Sequence, residues 1–217
     1  MTTPTPSWPT MWHSSGWSLH LPDEGVQSAV AYHGLFLYYA TIADGITYAV
    51  ELGSQYGWSA CWIAGAMRDR GLAGLVHCVD HFNEGGVEYQ AKWEQNLTRW
   101  GVAQWVVPHR GDILEILPTL PGGIQLAFID SWHSRAHLQK ELELLCPKLA
   151  ECSLLCLHDT FNPEFPQYVN FAQFELEQFF PFEGRLDFQE ASGFTILSRG
   201  HRLRERVSPG PNCVIGD

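Results

Sequence analysis

The chain has 217 residues, 45% apolar and 13% aromatic, which suits one domain with a sizeable core and leaves little room for two. Thirteen Lys and Arg against twenty-four Asp and Glu give a formal charge of −11, with charged residues only 17% of the total. That balance excludes a disordered polyelectrolyte, and it argues against nucleic acid or an anionic membrane surface as a partner, since both need a basic face. The first Lys or Arg is Arg68, so the chain start lacks the positive region of a signal peptide. No apolar run reaches the eighteen or so residues of a membrane span. A soluble, cytoplasmic protein is expected. The six cysteines include no CxxC pair, and Cys78 and Cys156 sit inside apolar runs, so reduced, buried thiols are expected.

Residues 1–25 hold four Pro and the three Trp8, Trp12 and Trp17 without a clear period, which predicts an irregular arm or lid that packs on something. Residues 28–43 are apolar enough for a buried helix. TYAVEL (47–52) reads as a buried strand. It is followed by a Gly-containing turn and a helix on which Ala60, Ile63, Ala64 and Met67 recur at helical spacing up to Gly71. VHCVD (76–80) is a second strand, then a helix with Tyr89, Trp93, Leu97 and Trp100 on one stripe, stopped by Gly101.

WVVPHR (105–110), the short helical ILEILPTL (113–120) and LAFID (126–130) continue the alternation. A helix carrying Leu138, Leu142, Leu145 and Leu149 leads to the strand SLLCLHD (153–159), and Val169, Ala172, Leu176 and Phe179 mark one more helix. RLDFQE (185–190) and FTILS (194–198) have hairpin spacing. Strands alternating with helices need crossover connections, so the expected fold is α/β. It is a mostly parallel seven-stranded sheet with helices on both faces and a C-terminal antiparallel hairpin. The expected organisation is an arm (1–25), one domain (26–198) and a tail (199–217), in which Arg199, Arg202, Arg204 and Arg206 meet solvent or an acidic face.

Ligands of open parallel sheets bind beyond the carboxyl ends of the strands. Those ends read Glu51 to Ser59, Asp80, Gly111-Asp112, Asp130 and His158-Asp159. Gly53 and Gly57 allow a tight turn and close backbone approach, yet GxGxxG spacing is absent and Glu51 leads the turn. A carboxylate there repels a pyrophosphate and suits a cationic ligand. Asp80, ending the second strand, is placed to accept both hydroxyls of a ribose. An adenosine ligand with positive charge and no phosphate satisfies both features, and S-adenosylmethionine is the obvious one.

ELGSQYGWS (51–59) is similar to the first motif of class I methyltransferases, especially the catechol O-methyltransferase-like branch. The resemblance continues through VHCVD, GDILEILPTL, FIDSWHSR (128–135) and LCLHDT (155–160), and covers about residues 28–198. It implies a Rossmann-like fold and an S-adenosylmethionine-dependent O-methyltransferase. By this resemblance Glu51, Gly53 and Ser59 hold the methionine end, with Ser54, Tyr56 and Gly57 in the same turn. Asp80 takes the ribose beside His81. Gly111 and Asp112 lie next to the adenine edge, and Trp132 packs on the adenine. Asp130, also counted with the cofactor residues, and Asp159 match metal-binding acids. Two positions depart from the catechol enzymes: Thr160 stands where the third metal side chain is an Asn, and His133 where the general base is a Lys.

Methyl transfer to an alcohol oxygen needs the nucleophile in line and partly deprotonated. Two carboxylates suit Mg²⁺ or another divalent cation, which lowers the hydroxyl pKa, and a histidine near its ordinary pKa of about 6.5 suits proton removal. Asp130, Asp159 and Thr160 are the expected metal residues and His133 the expected base, with His137 read as a solvated helix-face residue and His109 as having no role in the chemistry. The acceptor is a small-molecule hydroxyl compound, and a homo-oligomer is left open. The alternatives are a metal-binding hydroxylase-like enzyme on the same fold and a non-catalytic protein that keeps the adenosine pocket.

Overall fold

The structure, a computed structural model, describes residues 31–84, 86–189 and 192–200. The arm with Trp8, Trp12 and Trp17, the start of the first expected helix, and most of the Arg-containing tail lie outside the described residues. The first described element, α1 (Ala31–Asp44), leads to β1 (Tyr48–Leu52) and then to α2 (Trp58–Arg70). Next come β2 (Leu75–Asp80), a small hairpin of β3 (Asn83–Glu84) and β4 (Val87–Glu88), α3 (Gln90–Trp100), β5 (Val106–Arg110) and α4 (Ile113–Ile116). The chain continues through β6 (Ile124–Ile129), α5 (Arg135–Leu145), β7 (Leu149–His158), α6 (Pro166–Phe174), β8 (Gly184–Phe188) and β9 (Phe194–Arg199).

The main sheet has seven strands in the order β5-β2-β1-β6-β7-β9-β8. The first five of these run parallel, and β9 and β8 add the antiparallel C-terminal hairpin. The expected sheet is therefore the observed one, and each face is covered by helices. On one face Cys78, Phe128, Cys156 and Ile196 pack beneath α1, α2 and α3. On the other, Val50, Leu52, Val79 and Leu155 pack beneath Leu138 and Leu142 of α5 and Phe171 of α6. Residues 58–67 of α2 are all buried, because this helix lies between the sheet and α1 and has no wet side over that length. Gly34 of α1 makes that layer possible: a Cβ there would stand 1.9 Å from the buried Trp62 indole.

Three details differ from the sequence expectation. Leu149 opens β7 instead of ending a helix, because a Pro-containing 3-10 turn (Cys146–Lys148) stops α5 first. The helix expected through Phe179 ends at Phe174 and gives way to a 3-10 turn at Leu176–Gln178, so Tyr168, Phe171 and Ala172 form its buried side. The β3–β4 hairpin was not anticipated, since two-residue strands carry no periodic signal. The five described cysteines are free thiols, with Cys61, Cys78 and Cys156 buried. Among the described residues no helix is long and apolar enough to cross a membrane.

Candidate active site

The sheet changes direction of growth between β1 and β6, which is where an open α/β sheet leaves a crevice. The two strand ends are tied there by Asp130 N–H donating to the Leu52 carbonyl (2.9 Å). Gly53 then turns with φ +81°, and a Cβ on it would stand 2.2 Å from the Asp130 carbonyl oxygen. Only glycine fits that close crossing. The turn ends at Gly57, which precedes α2 with φ +78° and packs against Trp93.

Asp80 at the end of β2 holds this turn in place. Its Oδ2 accepts from the Ser54 and Gln55 N–H groups (2.7 and 2.8 Å), and its Oδ1 from the Phe82 N–H (2.7 Å) and the Tyr89 hydroxyl (2.6 Å). A carboxylate has about four lone-pair sites, so all are in use by the protein's own donors. Glu51, expected at the ligand, is instead one layer below it. Its register opposite Cys78 and Phe128 points it into the apolar layer under α2, where it is fully buried and its Oε1 accepts a hydrogen bond from the Ser59 hydroxyl. Burial pushes its carboxyl up to about 7, against the hydrogen bonds from Ser54, Ser59 and Cys78.

Asp130, His133 and Asp159 converge beyond the ends of β6 and β7, with ligand-type atoms all within 4.8 Å of one another. His133 Nε2 lies 3.3 Å from Asp130 Oδ1 and 3.2 Å from Asp159 Oδ2. Its ring is stacked on Phe165 at 4.6 Å and 11°, which fixes the imidazole plane. From below, His158 Nδ1 lies 3.3 Å from Oδ1 of each aspartate. Burial alone would push Asp130 upward, but His158 and His133 hold it well below the usual carboxylate range. Conversely burial would depress His158, and Asp130 and Asp159 lift it to about 10.

Asp159 adopts a left-handed backbone, φ +57°, unusual for a non-glycine residue and typical of functional sites. Thr160 is fully buried, its hydroxyl 2.9 Å from that of Thr195, which in turn donates to Asp187. Thr160 is therefore not in the metal-type cluster. The third member of the cluster is His133.

These residues line one cavity of about 930 Å³. Gly53, Ser54, Tyr56 and Ser59 form one wall, with Asp80 and His81 beside them. Asp112, Asp130, Trp132, His133 and Asp159 complete it, Trp132 being 73% exposed. Of the expected cofactor residues, Glu51, Gly57 and Gly111 are not on its surface. Gly57 and Gly111 shape the turns that carry their neighbours.

The sequence reading missed Tyr89, the Asp80 partner, and it misplaced His137. That side chain is on the cavity wall, its Nε2 3.2 Å from the fully buried Glu141 of the same helix. The i, i+4 spacing of His137 and Glu141 was the available signal. Arg199, expected in solvent or on an acidic face, folds back to donate to the Leu149 and Ala150 carbonyls (2.7 and 2.8 Å).

A family described as a methyltransferase domain matches residues 50–160, a span running from the first glycine turn through the second aspartate of the cluster. The chain belongs to this family. The methyltransferase is similar in structure to an O-methyltransferase from Bacillus cereus in complex with SAH, with TM-score 0.62 and 18% identity over 84% of this chain and 86% of that one. It is similar also to the O-methyltransferase TomG from Streptomyces achromogenes, involved in tomaymycin synthesis and in complex with SAM (TM-score 0.60, 19% identity, 80% and 82% covered). An SAH-bound methyltransferase from Podospora anserina gives TM-score 0.63 and 15% identity, with 85% of each chain covered. At these identities the likeness is one of fold. No curated protein matches the chain.

Proposed function

We propose that this methyltransferase moves the methyl group of S-adenosylmethionine to a hydroxyl oxygen of a small molecule, beside a divalent cation held by Asp130 and Asp159. The observation that supports the reading most is the Asp130–His133–Asp159 cluster opening into the same cavity as the Gly53–Ser59 turn. A cavity of about 930 Å³ suits a nucleoside-sized donor together with a small acceptor. The Gly53 turn lies on the cavity wall and crosses the Asp130–Ser131 backbone, where a Cβ could not be accommodated. The methionine end is assigned to the turn from Gly53 to Ser59, and the adenine to the exposed face of Trp132 beside Asp112. A ribose hydroxyl at Asp80 takes the place of the Tyr89 hydroxyl, the one side-chain donor among its four partners.

Two carboxylates with further positions left to water form a donor set that fits Mg²⁺ or Mn²⁺. When bound, such a cation lowers the pKa of a coordinated hydroxyl and fixes its position. His133 is the base this chain offers. It takes the acceptor proton at Nδ1, because Nε2 is buried against the two aspartates at 3.3 and 3.2 Å, which stabilise the imidazolium that forms. Phe165 keeps the ring plane fixed during the transfer, so the proton acceptor is already oriented. The test is transfer of a labelled methyl group from S-adenosylmethionine to a panel of phenols, catechols and sugars. Transfer that is lost in chelator and in Asp159→Asn supports the proposal. Transfer undiminished under both conditions removes the metal, and no transfer to any hydroxyl removes the acceptor class.

A further inference from the structure

One polar couple on the cavity wall has no place in the chemistry described so far. Glu141 on α5 is fully buried, and its Oε1 accepts from the Ser131 hydroxyl (2.6 Å) while standing 3.2 Å from His137 Nε2. A buried carboxylate this costly to desolvate must hold something, and what it holds is the imidazole. His137 lines the cavity with Nε2 turned inward and buried against Glu141, so Nδ1 is the ring nitrogen left for a ligand.

The location identifies the ligand group. Asp112 caps α4, its Oδ1 accepting from the Leu114 N–H (2.7 Å), while its Oδ2, 3.9 Å from His81 Nε2, is an acceptor on the cavity wall. Glu141, 3.2 Å away, is the main influence raising the His137 pKa against burial, with Asp112 adding to it and Lys140 opposing it. An acceptor and a donor thus line the same cavity as Trp132. Adenine presents the complement, an amino donor flanked by ring-nitrogen acceptors. With Nε2 against the Glu141 carboxylate, Nδ1 is a donor in the imidazolium form, whose charge Glu141 at 3.2 Å balances.

We propose that His137 is a specificity residue that donates a hydrogen bond to a ring nitrogen of the adenine, with Glu141 as the positioning residue that fixes its ring. The proposal rests on the donor reading given above.

Calorimetric titration of the full chain with S-adenosylhomocysteine and its 1-deaza, 3-deaza and 7-deaza analogues tests it, because each analogue replaces one ring nitrogen by C–H without changing shape. Against the wild type, one analogue is expected to bind about tenfold more weakly than the parent, the size of one hydrogen bond to a charged donor. Against His137→Ala the parent loses about the same tenfold and the analogue nothing further, while His137→Gln, which keeps a donor, restores part of the difference. Glu141→Gln weakens the same nitrogen-specific difference, and should it fail to fold, the His137 variants still decide. If every analogue behaves identically in wild type and His137→Ala while the parent binds the wild type, the proposal is overturned and the donor reading stands. If S-adenosylhomocysteine does not bind the wild type, both fall.

Discussion

Replacing Gly53 by Ala tests how tightly the cofactor turn is coupled to the metal-type cluster, and Gly45→Ala supplies the internal control. Both glycines have left-handed backbones, φ +81° and +61°, so both substitutions carry the conformational cost of an L-residue there, about 1–2 kcal/mol. They differ in surroundings. A Cβ at Gly45 meets nothing within 4 Å, whereas at Gly53 it would stand 2.2 Å from the Asp130 carbonyl oxygen and 2.8 Å from Ser131 Cα. Those are backbone atoms at the end of a central strand and cannot rotate away, so overpacking adds roughly 1–3 kcal/mol. Urea denaturation should show Gly45→Ala down by about 1–2 kcal/mol and Gly53→Ala by about 2–5 kcal/mol. Titration with S-adenosylhomocysteine should be unchanged in the first and weakened at least tenfold in the second, since the turn and Asp130 must separate. Equal losses of stability and equal affinity in the two variants would refute the coupling.

Four further outcomes follow from the same geometry. Glu51 has its folded pKa raised to about 7 from an ordinary 4.5, so the folded state holds a proton that the unfolded chain releases between those values. Stability on this account falls as pH rises from 4.5 through 7, and Glu51→Gln should remove the fall and be more stable at pH 8 by about 1–3 kcal/mol in thermal or urea unfolding. His77 Nδ1 and His109 Nε2 lie 2.9 Å apart on β2 and β5, and burial lowers both pKa values, with the field of His109 lowering His77 further. A depressed histidine contributes stability above its unfolded value of about 6.5 and loses it as pH falls, so His77→Gln should flatten the acid limb of the unfolding-versus-pH curve. Asp80→Asn replaces an acceptor of four bonds by a group with one acceptor atom, and loss of stability by about 2–4 kcal/mol together with weaker S-adenosylhomocysteine binding is the expected result in denaturation and calorimetry. His133→Ala should lower the methyl-transfer rate at least a hundredfold and leave Mn²⁺ affinity, read by electron paramagnetic resonance, within about threefold; a collapse of Mn²⁺ binding would make His133 a ligand instead of the base.

The parallel sheet was legible because each of its strands is an apolar run bounded by turn residues, and the Gly71 and Gly101 stops sit at helix ends with left-handed backbones as their type suggests. The acids at the strand ends were legible for the same reason: a strand end fixes the place of its last residue. What the sequence could not show is which way a side chain points once the strand has ended. Glu51 is within β1, but that strand is apolar and buried on both faces, so nothing in the pattern marks that Glu51 faces the core under α2. Thr160 follows a residue with a left-handed backbone, and that single φ sends it into the layer shared with Thr195 instead of toward Asp130. Neither fact has a local sequence signature. Asp80 illustrates the same limit from another direction, because the partners that fill its oxygens come from residues 54, 55, 82 and 89, in three separate segments.

On the proposed reading the donor lies on the Gly53 turn with its reacting sulfur facing the Asp130–His133–Asp159 cluster. A crystal structure with S-adenosylhomocysteine and Mn²⁺, the metal located by anomalous scattering, tests it most directly. Adenine is expected on Trp132 beside Asp112, the homocysteine chain along Gly53 to Ser59, and an anomalous peak bound by Asp130 and Asp159 next to the sulfur. A nucleoside bound elsewhere, or a cavity holding the ligand with its sulfur turned away from both aspartates, would contradict it.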